Sequence, residues 1–327
     1  MRWKTAQKKA KLRQRVQLAS LTLSIIIALI LAGNILRVIS NLFSPLSIQT
    51  DRTYSWDSDF NLNLVLTTKP ISVLSYNPVE NKISVLEIPD AAYIEVPGGY
   101  GSWKLGVVYK LGEAPDKAVG AKLLRDSLES FLALPIDGVI RISGQWSSSE
   151  WVSNLRGNPW DALAMLSNSR TDLSPIELTR FVMGVRGVRF DKVTTYNLEE
   201  LGLLTSEKLA DGEDILVSDP AKIDALLTRH FTDTKVLGEG ATIAVLNSTN
   251  QPGLAAKTAQ MITHLGGNVI IQSSFEKVLE KSVVTGDSKY PYTTRRLQQI
   301  FGRGTLESLG RPAQEISRAS VNLVLGQ

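Results

Sequence analysis

An uncharged stretch near the N-terminus most constrains what this chain can fold into. Residues Leu18–Leu36 contain no Asp, Glu, Lys or Arg, and their sequence is LASLTLSIIIALILAGNIL. As an α-helix, a stretch of this length reaches about 28 Å, close to the hydrocarbon thickness of about 30 Å in a bilayer. A helix satisfies its own backbone hydrogen bonds, so it is stable in lipid. The sequence therefore predicts an N-terminal transmembrane helix over residues 18–38.

The charges on either side of this stretch predict its orientation. Residues 1–17 contain seven Lys and Arg residues and no acid, and only Arg37 is charged between the stretch and Asp51. Basic residues favour the cytoplasmic side of a membrane. We therefore expect a cytoplasmic basic tail at 1–17 and a single-pass protein of the cell membrane, with the bulk of the chain extracytoplasmic. A signal peptide cleaved near Ile30-Leu31-Ala32 is the alternative.

The chain beyond the predicted anchor is mildly acidic. Residues 1–50 hold eight of the 36 Lys and Arg residues and none of the 32 Asp and Glu residues, which leaves 28 basic and 32 acidic residues for the remainder. Nucleic-acid binding needs concentrated positive charge, so this balance argues against DNA or RNA as a partner. The absence of Cys excludes zinc–cysteine and thiol chemistry.

The apolar pattern divides the chain after the anchor into a stalk, two α/β domains and a linker. We predict a stalk over 39–58, a first domain over 59–200, a linker with one helix, Ala221–Phe231, within 201–238, and a small second domain over 239–327. Strands alternating with helices predict an α/β fold for both domains.

Each domain has its own predicted elements. In the first, the predicted strands include Asn61–Leu66, Ile71–Tyr76, Lys82–Ile88, Val139–Ser143 and Lys192–Asn197, and the predicted helices are Pro115–Leu134, Ser148–Leu155, Trp160–Leu166 and Pro175–Val185. The second domain has predicted strands at Thr242–Leu246, Asn268–Gln272 and Val321–Leu325, and helices at Leu254–Leu265 and Tyr292–Phe301. The turn signal Asn77–Asn81 predicts that the second and third strands form a hairpin. Ser174 and Glu177 have the spacing of a capping box, which predicts that a helix begins at Pro175.

Several segments, in order, resemble the LytR-CpsA-Psr (LCP) proteins of bacterial envelopes. They are Ile71–Pro89, Lys104–Gly112, Gly120–Ile142 and Ser174–Leu198, and Val245–Val269 resembles the LytR C-terminal domain that is often attached to these proteins. The resemblance implies an α/β/α domain with a mixed sheet, followed by a small α/β domain. It also implies an enzyme that moves a glycopolymer from a polyprenyl-pyrophosphate carrier to the cell wall, with Mg²⁺ as the cofactor of active members.

The sequence departs from the family where the chemistry is expected. The family has an acidic and arginine-bearing loop after the first strand, whereas Thr67–Pro70 runs directly into the next strand. Asp90-Ala91-Ala92 stands where the family has Arg-Asp-Thr, and Gln145–Asn168 contains Arg156 as its only basic residue. The scaffold residues survive, and they are Lys104, Leu105, Tyr109, Gly112, Pro135, Ile136 and Asp137.

We therefore predict a membrane-anchored LCP-like protein of cell-envelope or surface-glycopolymer assembly that binds or scaffolds, with a degenerate active site. No catalytic residue, metal ligand or cofactor is assigned, and Lys104 is the one candidate ligand-binding residue. The expected partners are the lipid bilayer, a polyprenyl-linked glycan or peptidoglycan, and envelope proteins. One alternative is an active phosphotransferase that uses Lys104, Arg125, Arg141 or Arg156. Another is a structural adaptor that engages envelope proteins through its C-terminal domain.

Other patterns carry less chemistry. Ser274–Lys277 has the S-x-x-K spacing of penicillin-binding enzymes, but their companion motifs are absent, so we interpret it as a chance match. His230 and His264 are the only histidines. We expect each on a helix without a nearby partner, which argues against a histidine-based metal site or triad.

The predicted topology has a direct test. Protease added to intact spheroplasts is expected to degrade the chain beyond about residue 50 and to spare the N-terminal tail, because the basic tail stays inside. Immunoblots against tags at both ends measure this. Protection of the C-terminal tag would contradict the orientation, and a soluble mature form starting near Gly33 would indicate a cleaved signal peptide.

Overall fold

The computed structural model describes residues 52, 54–113, 119–302, 304 and 316–326. They belong to one compact unit, Ser47–Gln327. The predicted transmembrane helix over 18–38 and the cytoplasmic tail lie outside the described residues, as does most of the stalk. Within the part of the chain that is described, no helix combines the length and apolar character needed to cross a membrane.

The first part of the chain alternates strands and helices up to residue 197. Its elements are β1 (Leu62–Leu66), β2 (Ile71–Asn77), β3 (Lys82–Ile88), β4 (Tyr93–Val96), β5 (Gly101–Lys104), α1 (Leu105–Leu111), α2 (Gly120–Leu132), β6 (Gly138–Arg141), α3 (Ser148–Arg156), α4 (Pro159–Ser167), β7 (Arg170–Thr171), α5 (Pro175–Gly187), a 3-10 turn (Phe190–Lys192) and β8 (Val193–Asn197). Ser174 caps α5 and forms a capping box with Glu177, as its sequence predicts.

A six-stranded mixed sheet organises this part. Its strand order is β7-β6-β1-β2-β3-β8. The predicted hairpin is confirmed, since β2 and β3 pair from Ile71↔Ile88 to Asn77↔Lys82. The parallel pairs are β1 with β6 and β3 with β8. Side chains of α1 and α2 join one apolar core with one face of the sheet. On the other face, Tyr76 of β2 makes an edge contact with Phe181 of α5, whose ring stacks on Trp151 of α3.

The first three strands are buried along nearly their whole length. All five residues of β1 and all seven of β2 are buried. The polar positions have partners inside the protein: Asn63 Nδ2 donates to the carbonyl of Pro135 (2.9 Å), and the Ser84 hydroxyl donates to the carbonyl of His230 (3.1 Å). Polar residues in these strands therefore form hydrogen bonds to neighbouring segments of the protein, and they do not mark a face of the sheet that is exposed to water.

The structure contains two hairpins that the sequence did not predict. The Gly-rich segment after residue 96 is the turn between β4 and β5, where Gly98, Gly99 and Gly101 adopt positive φ values of 83°, 81° and 75°. The predicted helix in the linker is present as α6 (Pro220–His230). The same region also holds β9 (Leu204–Lys208), β10 (Asp214–Ser218) and α7 (Thr234–Glu239), which were not predicted. Strand β9 is mostly exposed, so it lacks the apolar pattern that would reveal it.

The C-terminal part forms a second, smaller α/β layer. Its elements are β11 (Thr242–Asn247), α8 (Leu254–His264), β12 (Asn268–Ser274), β13 (Val283–Gly286), α9 (Pro291–Phe301) and β14 (Val321–Leu325). The sheet order is β12-β11-β14-β13, with β11 parallel to both neighbours and β13 antiparallel to β14. All the predicted elements are present, and β13 is the one addition within the described residues.

A buried ion pair joins the two parts. Arg296 of α9 and Asp137, which precedes β6, both have fully buried side chains, and Arg296 Nη2 lies 3.2 Å from Asp137 Oδ1. The carboxylate also accepts the backbone N–H of Asn63 (2.7 Å) and the hydroxyl of Tyr54. Burial raises the pKa of Asp137, and the nearby Arg296 opposes that rise.

The segment before β1 reinforces this junction. Arg52 pairs with Glu177 of α5 at 2.6 Å, and the same carboxylate accepts the N–H of Trp56 at 2.6 Å. Asp59 pairs with Lys235 of α7 at 2.6 Å and with Arg295 of α9. These contacts connect three regions of the chain within one compact unit. The domain boundary near residue 238 stays a prediction.

Breaking the junction has a predictable cost. Asp137→Asn and Arg296→Met each leave a buried charged partner without its counterion, so each is expected to lower the free energy of unfolding by about 3–5 kcal/mol. Denaturant unfolding of the chain, followed by tryptophan fluorescence, measures the change. Arg189→Ala is the matched control, because its side chain is 77% exposed; it is expected to cost under about 0.5 kcal/mol. A loss below about 1 kcal/mol for both buried variants would contradict the assigned role of the pair.

Candidate functional site

The carboxyl ends of the parallel strands form one edge of the six-stranded sheet. Strands β1, β3, β6 and β8 share a direction, and they end at Leu66, Ile88, Arg141 and Asn197. In α/β sheets, ligands bind outside this edge, where loops and helix ends converge. Both loops at which the sequence departs from the LCP pattern, Thr67–Pro70 and Asp90–Ala92, follow strands that end here.

Two arginines lie directly opposite each other at this edge. Arg141 ends β6, and its cross-strand partner in the antiparallel pairing is Arg170 of β7. Both residues are exposed, and neither forms an ion pair among the described residues. Opposed side chains on paired strands point to the same face, and like charges in that position destabilise a sheet. An anion between the two guanidinium groups would remove that repulsion.

Tyr109 of α1 fixes one side of the arginine pair. The guanidinium carbon of Arg141 lies 4.9 Å from the centre of the Tyr109 ring, a cation–π distance. Burial raises the pKa of the Tyr109 phenol, and the positive charge of Arg141 opposes that rise. The phenol is therefore protonated at neutral pH and can donate a hydrogen bond to an anion.

Two loops close in beside the arginines. The backbone N–H of Lys69 donates to the carbonyl of Trp146 at 2.9 Å, and the N–H of Ile142 donates to the Thr67 hydroxyl oxygen at 2.9 Å. The loop after β1 is thereby tied to the loop after β6. Lys69 is exposed and places a further cation at the same edge.

The carboxylate of Glu87, at this edge, is not free to hold magnesium. Glu87 of β3 accepts hydrogen bonds from the Ser148 hydroxyl (2.5 Å) and from Asn197 Nδ2 (3.3 Å), so both its oxygens have protein partners. Across the residues that the structure describes, no group of three or more His, Cys, Asp or Glu side chains is arranged to hold a metal ion. Mg²⁺ requires several oxygen ligands in octahedral geometry.

Of the basic residues proposed from the sequence, the structure places Arg141 in this site. Lys104 Nζ pairs with Glu213 Oε1 at 2.6 Å, on the turn between β9 and β10. Arg125 lines a cavity of about 170 Å³ together with Glu129 and Ile136. That cavity lies where the chain enters β6, which is the opposite edge of the sheet. Arg156 donates to the carbonyl of Val188 at 2.5 Å.

Arg170 is the site residue that sequence reasoning missed. Strand β7 consists of Arg170 and Thr171 alone, too short for a periodic signal. Its pairing with β6 depends on tertiary folding, so the opposition of Arg170 and Arg141 has no local signature. The one available signal was the presence of a basic residue just beyond Gln145–Asn168, the region that replaces the family's arginine-rich run.

The expectation that both histidines lack partners is wrong. His230 Nδ1 lies 2.9 Å from the Tyr196 hydroxyl, and the two rings are 4.6 Å apart. His264 is buried, and its Nδ1 lies 2.8 Å from the carbonyl of Ala133 while its Nε2 lies 3.2 Å from Asp224. Both sit on helices, as predicted, each as the last helical residue, and both are held by partners distant in sequence. They stabilise contacts between elements and are not brought together.

The C-terminal residues match a known family. Residues 240–327 fit the family model LytR_C, described as LytR cell envelope-related transcriptional attenuator. The predicted LytR-type C-terminal domain is confirmed. No curated protein matches the chain.

Solved structures similar to the chain include LCP proteins. TagT from B. subtilis shares 15% identity, with a TM-score of 0.38 over 54% of this chain and 91% of that one. A structure described as LytR-CPS2A-psr family protein YwtF (TagT) with bound octaprenyl pyrophosphate lipid has 13% identity and a TM-score of 0.38, with coverage of 54% and 91%. A transcriptional regulator, EF0465, from Enterococcus faecalis has 14% identity and a TM-score of 0.38, with coverage of 64% and 88%. LCP proteins, which several segments of the sequence resemble, are thus among the structures similar to this chain.

The opposed arginines predict a stability change of unusual sign. Arg170→Gln removes a like-charge contact without removing an ion pair, so we expect it to raise the free energy of unfolding by about 0.2–1 kcal/mol in the absence of ligand. The control is Lys208→Gln, whose side chain is 75% exposed on β9 beside Asp214. It is expected to leave stability unchanged or slightly lower. Thermal unfolding at low ionic strength measures both, and destabilisation by Arg170→Gln would show that the guanidinium groups do not repel each other.

Proposed function

We propose that this protein binds the pyrophosphate end of a polyprenyl-linked glycan in cell-envelope assembly, and that it binds or scaffolds without transferring the glycan. The observation that carries the proposal is the cross-strand pair Arg141 and Arg170, two exposed arginines at opposed backbone positions at the carboxyl edge of the sheet. The fold places two like charges opposite each other at the edge where α/β sheets bind ligands.

The chemistry of the pair fits a diphosphate. Pyrophosphate carries several negative charges on two adjacent phosphoryl groups, and each group can accept two parallel hydrogen bonds from one guanidinium. Two arginines side by side match two phosphoryl groups. Tyr109 adds a neutral O–H donor beside Arg141. Arginine suits this task better than lysine because its planar fork fixes orientation as well as charge.

The resemblance to LCP proteins supports a polyprenyl-linked glycan as the ligand. The family match of the C-terminal residues supports a role in the cell envelope. The segments that resemble LCP proteins build the sheet whose edge carries the arginines. Residues 240–327 match a model described as cell envelope-related. With the predicted anchor at residues 18–38, the protein would be a single-pass membrane protein that places this edge outside the cytoplasm, in reach of a lipid-linked glycan.

The charged groups at the carboxyl edge of the sheet suit binding better than transfer. Transfer requires the charge on the leaving pyrophosphate to be neutralised as bonds shift, and loss of one such donor costs a hundred- to thousandfold in rate, to order of magnitude. The edge has basic groups, and the carboxylate of Glu87 at the end of β3 is engaged by Ser148 and Asn197. Binding needs the anion held, which the arginines can do without a metal.

A binding experiment tests the proposal. Farnesyl pyrophosphate, added to the detergent-solubilised chain without magnesium, is expected to bind, and Arg141→Ala and Arg170→Ala should each weaken binding about tenfold or more, the loss of one charge-assisted contact. Isothermal titration calorimetry measures the affinity. Lys104→Ala and Arg189→Ala are the controls, and each should change the affinity less than about twofold, because Lys104 pairs with Glu213 and Arg189 with Asp191.

The alternatives give different results. Magnesium-dependent transfer of the glycosyl phosphate to an acceptor hydroxyl, with release of polyprenyl phosphate, would establish an active transferase if Arg141→Ala abolished it, and this would contradict the proposal. Absence of binding in both the parent chain and the variants would favour an adaptor that acts through its C-terminal domain.

A further inference from the structure

The outward face of α5 carries large apolar side chains that the core does not use. Ile176, Met183 and Phe190 are 64%, 71% and 83% exposed. They recur every seven residues, so Ile176 and Met183 lie on one side of the helix about 10 Å apart. Phe190 continues the series in the 3-10 turn that follows. We call these three residues the α5 face.

The opposite side of α5 is packed in the protein interior. Leu178, Phe181 and Val185 of α5 are buried, and Phe181 is in contact with Tyr76 and Trp151. Val79, at the tip of the β2–β3 hairpin, is 51% exposed, and the neighbouring Asn81 donates to the carbonyl of Gly187 at 2.9 Å. The apolar surface therefore continues from the end of α5 onto this hairpin. Exposed apolar residues gathered in this way mark a surface that meets another phase or molecule.

Phe190 is held outward by its surroundings. The guanidinium of Arg156 lies 6.0 Å from the centre of its ring and donates to the carbonyl of Val188 at 2.5 Å. Lys192 Nζ donates to the carbonyl of Glu80 at 2.8 Å, which ties the turn to the hairpin. The aromatic ring is thus presented by fixed neighbours.

The charges around the α5 face are predominantly positive. Residues 178–192 contain Arg180, Arg186, Arg189 and Lys192, with Asp191 as the one acid. Asp191 pairs with Arg189 at 3.0 Å. This contrasts with the remainder of the chain beyond residue 50, in which acidic residues outnumber basic ones. The preferred counterpart is therefore apolar at its centre and negatively charged at its surface.

We propose that the α5 face docks on the surface of a bilayer that contains anionic phospholipid. Apolar side chains on one side of a helix enter the boundary between headgroups and acyl chains, while flanking Arg and Lys residues contact anionic headgroups. Charge complementarity favours a bilayer over a protein groove as the binding partner. A groove for Ile, Met and Phe would not require surrounding basic groups, whereas an anionic bilayer has both an apolar interior for these side chains and negative headgroups for the basic residues. This docking is independent of the proposed pyrophosphate ligand.

The absence of cysteine makes the proposal testable in the full chain. Met183→Cys creates a single labelling site for a polarity-sensitive fluorophore. The matched control is Leu201→Cys, which is 49% exposed and follows β8 at the end away from Phe190. Each labelled chain is incorporated into vesicles of phosphatidylcholine alone or with about a third phosphatidylglycerol, both containing nitroxide-labelled lipid. We expect a blue shift and strong quenching at position 183 in anionic vesicles, and several times less quenching in neutral vesicles. The label at position 201 should remain unquenched in both.

Charge reversal and salt complete the test. Arg189→Glu with Lys192→Glu is expected to reduce the quenching at position 183 severalfold, as is high salt on the parent chain, whereas Lys208→Glu should not. Equal quenching at 183 and 201, or equal quenching at 183 in neutral and anionic vesicles, would overturn the proposal. A blue shift at 183 that grows with protein concentration in the absence of vesicles would also overturn it, because the face would then be an interface between copies of the chain.

Discussion

The structure depends on a carboxylate that three regions of the chain share. Asp137 receives Arg296 of the C-terminal layer, Tyr54 of the segment before β1, and the backbone N–H of Asn63. The N–H of Asp137 in turn donates to the carbonyl of Asn63 at 2.8 Å. A buried charge of this kind is costly unless every partner is present. The C-terminal layer therefore contributes to the same buried cluster that holds the start of β6 against β1.

This connection extends to the candidate site through the sheet. Strand β6 begins directly after Asp137 and ends at Arg141, so the residues that fix its start also fix the register that brings Arg141 opposite Arg170. Tyr109 approaches Arg141 from α1, which belongs to the same apolar core as β1 and β6. The site thus consists of exposed basic groups on a rigid, buried support, an arrangement suited to holding an anion in one orientation.

The sequence predicted the regular elements well and the contacts across the fold poorly. Apolar periodicity identified α2, α5 and β14, and the capping box at Ser174 located the start of α5. It did not reveal β9, whose residues are largely exposed, or β7, which has two residues and exists only through its pairing with β6. Arg141 could be proposed from the sequence as a basic residue of the predicted strand Val139–Ser143. Its pairing with Arg170, and the engagement of Lys104 by Glu213, depend on residues at least 29 positions away, which no local pattern encodes.

A crystal structure of the chain soaked with farnesyl pyrophosphate is the sharpest test of diphosphate binding by the arginine pair. We expect diphosphate oxygens within about 2.7–2.9 Å of the guanidinium nitrogens of both Arg141 and Arg170, the range of charge-assisted hydrogen bonds. A diphosphate bound elsewhere on the protein, with both arginines left in solvent, would contradict this expectation.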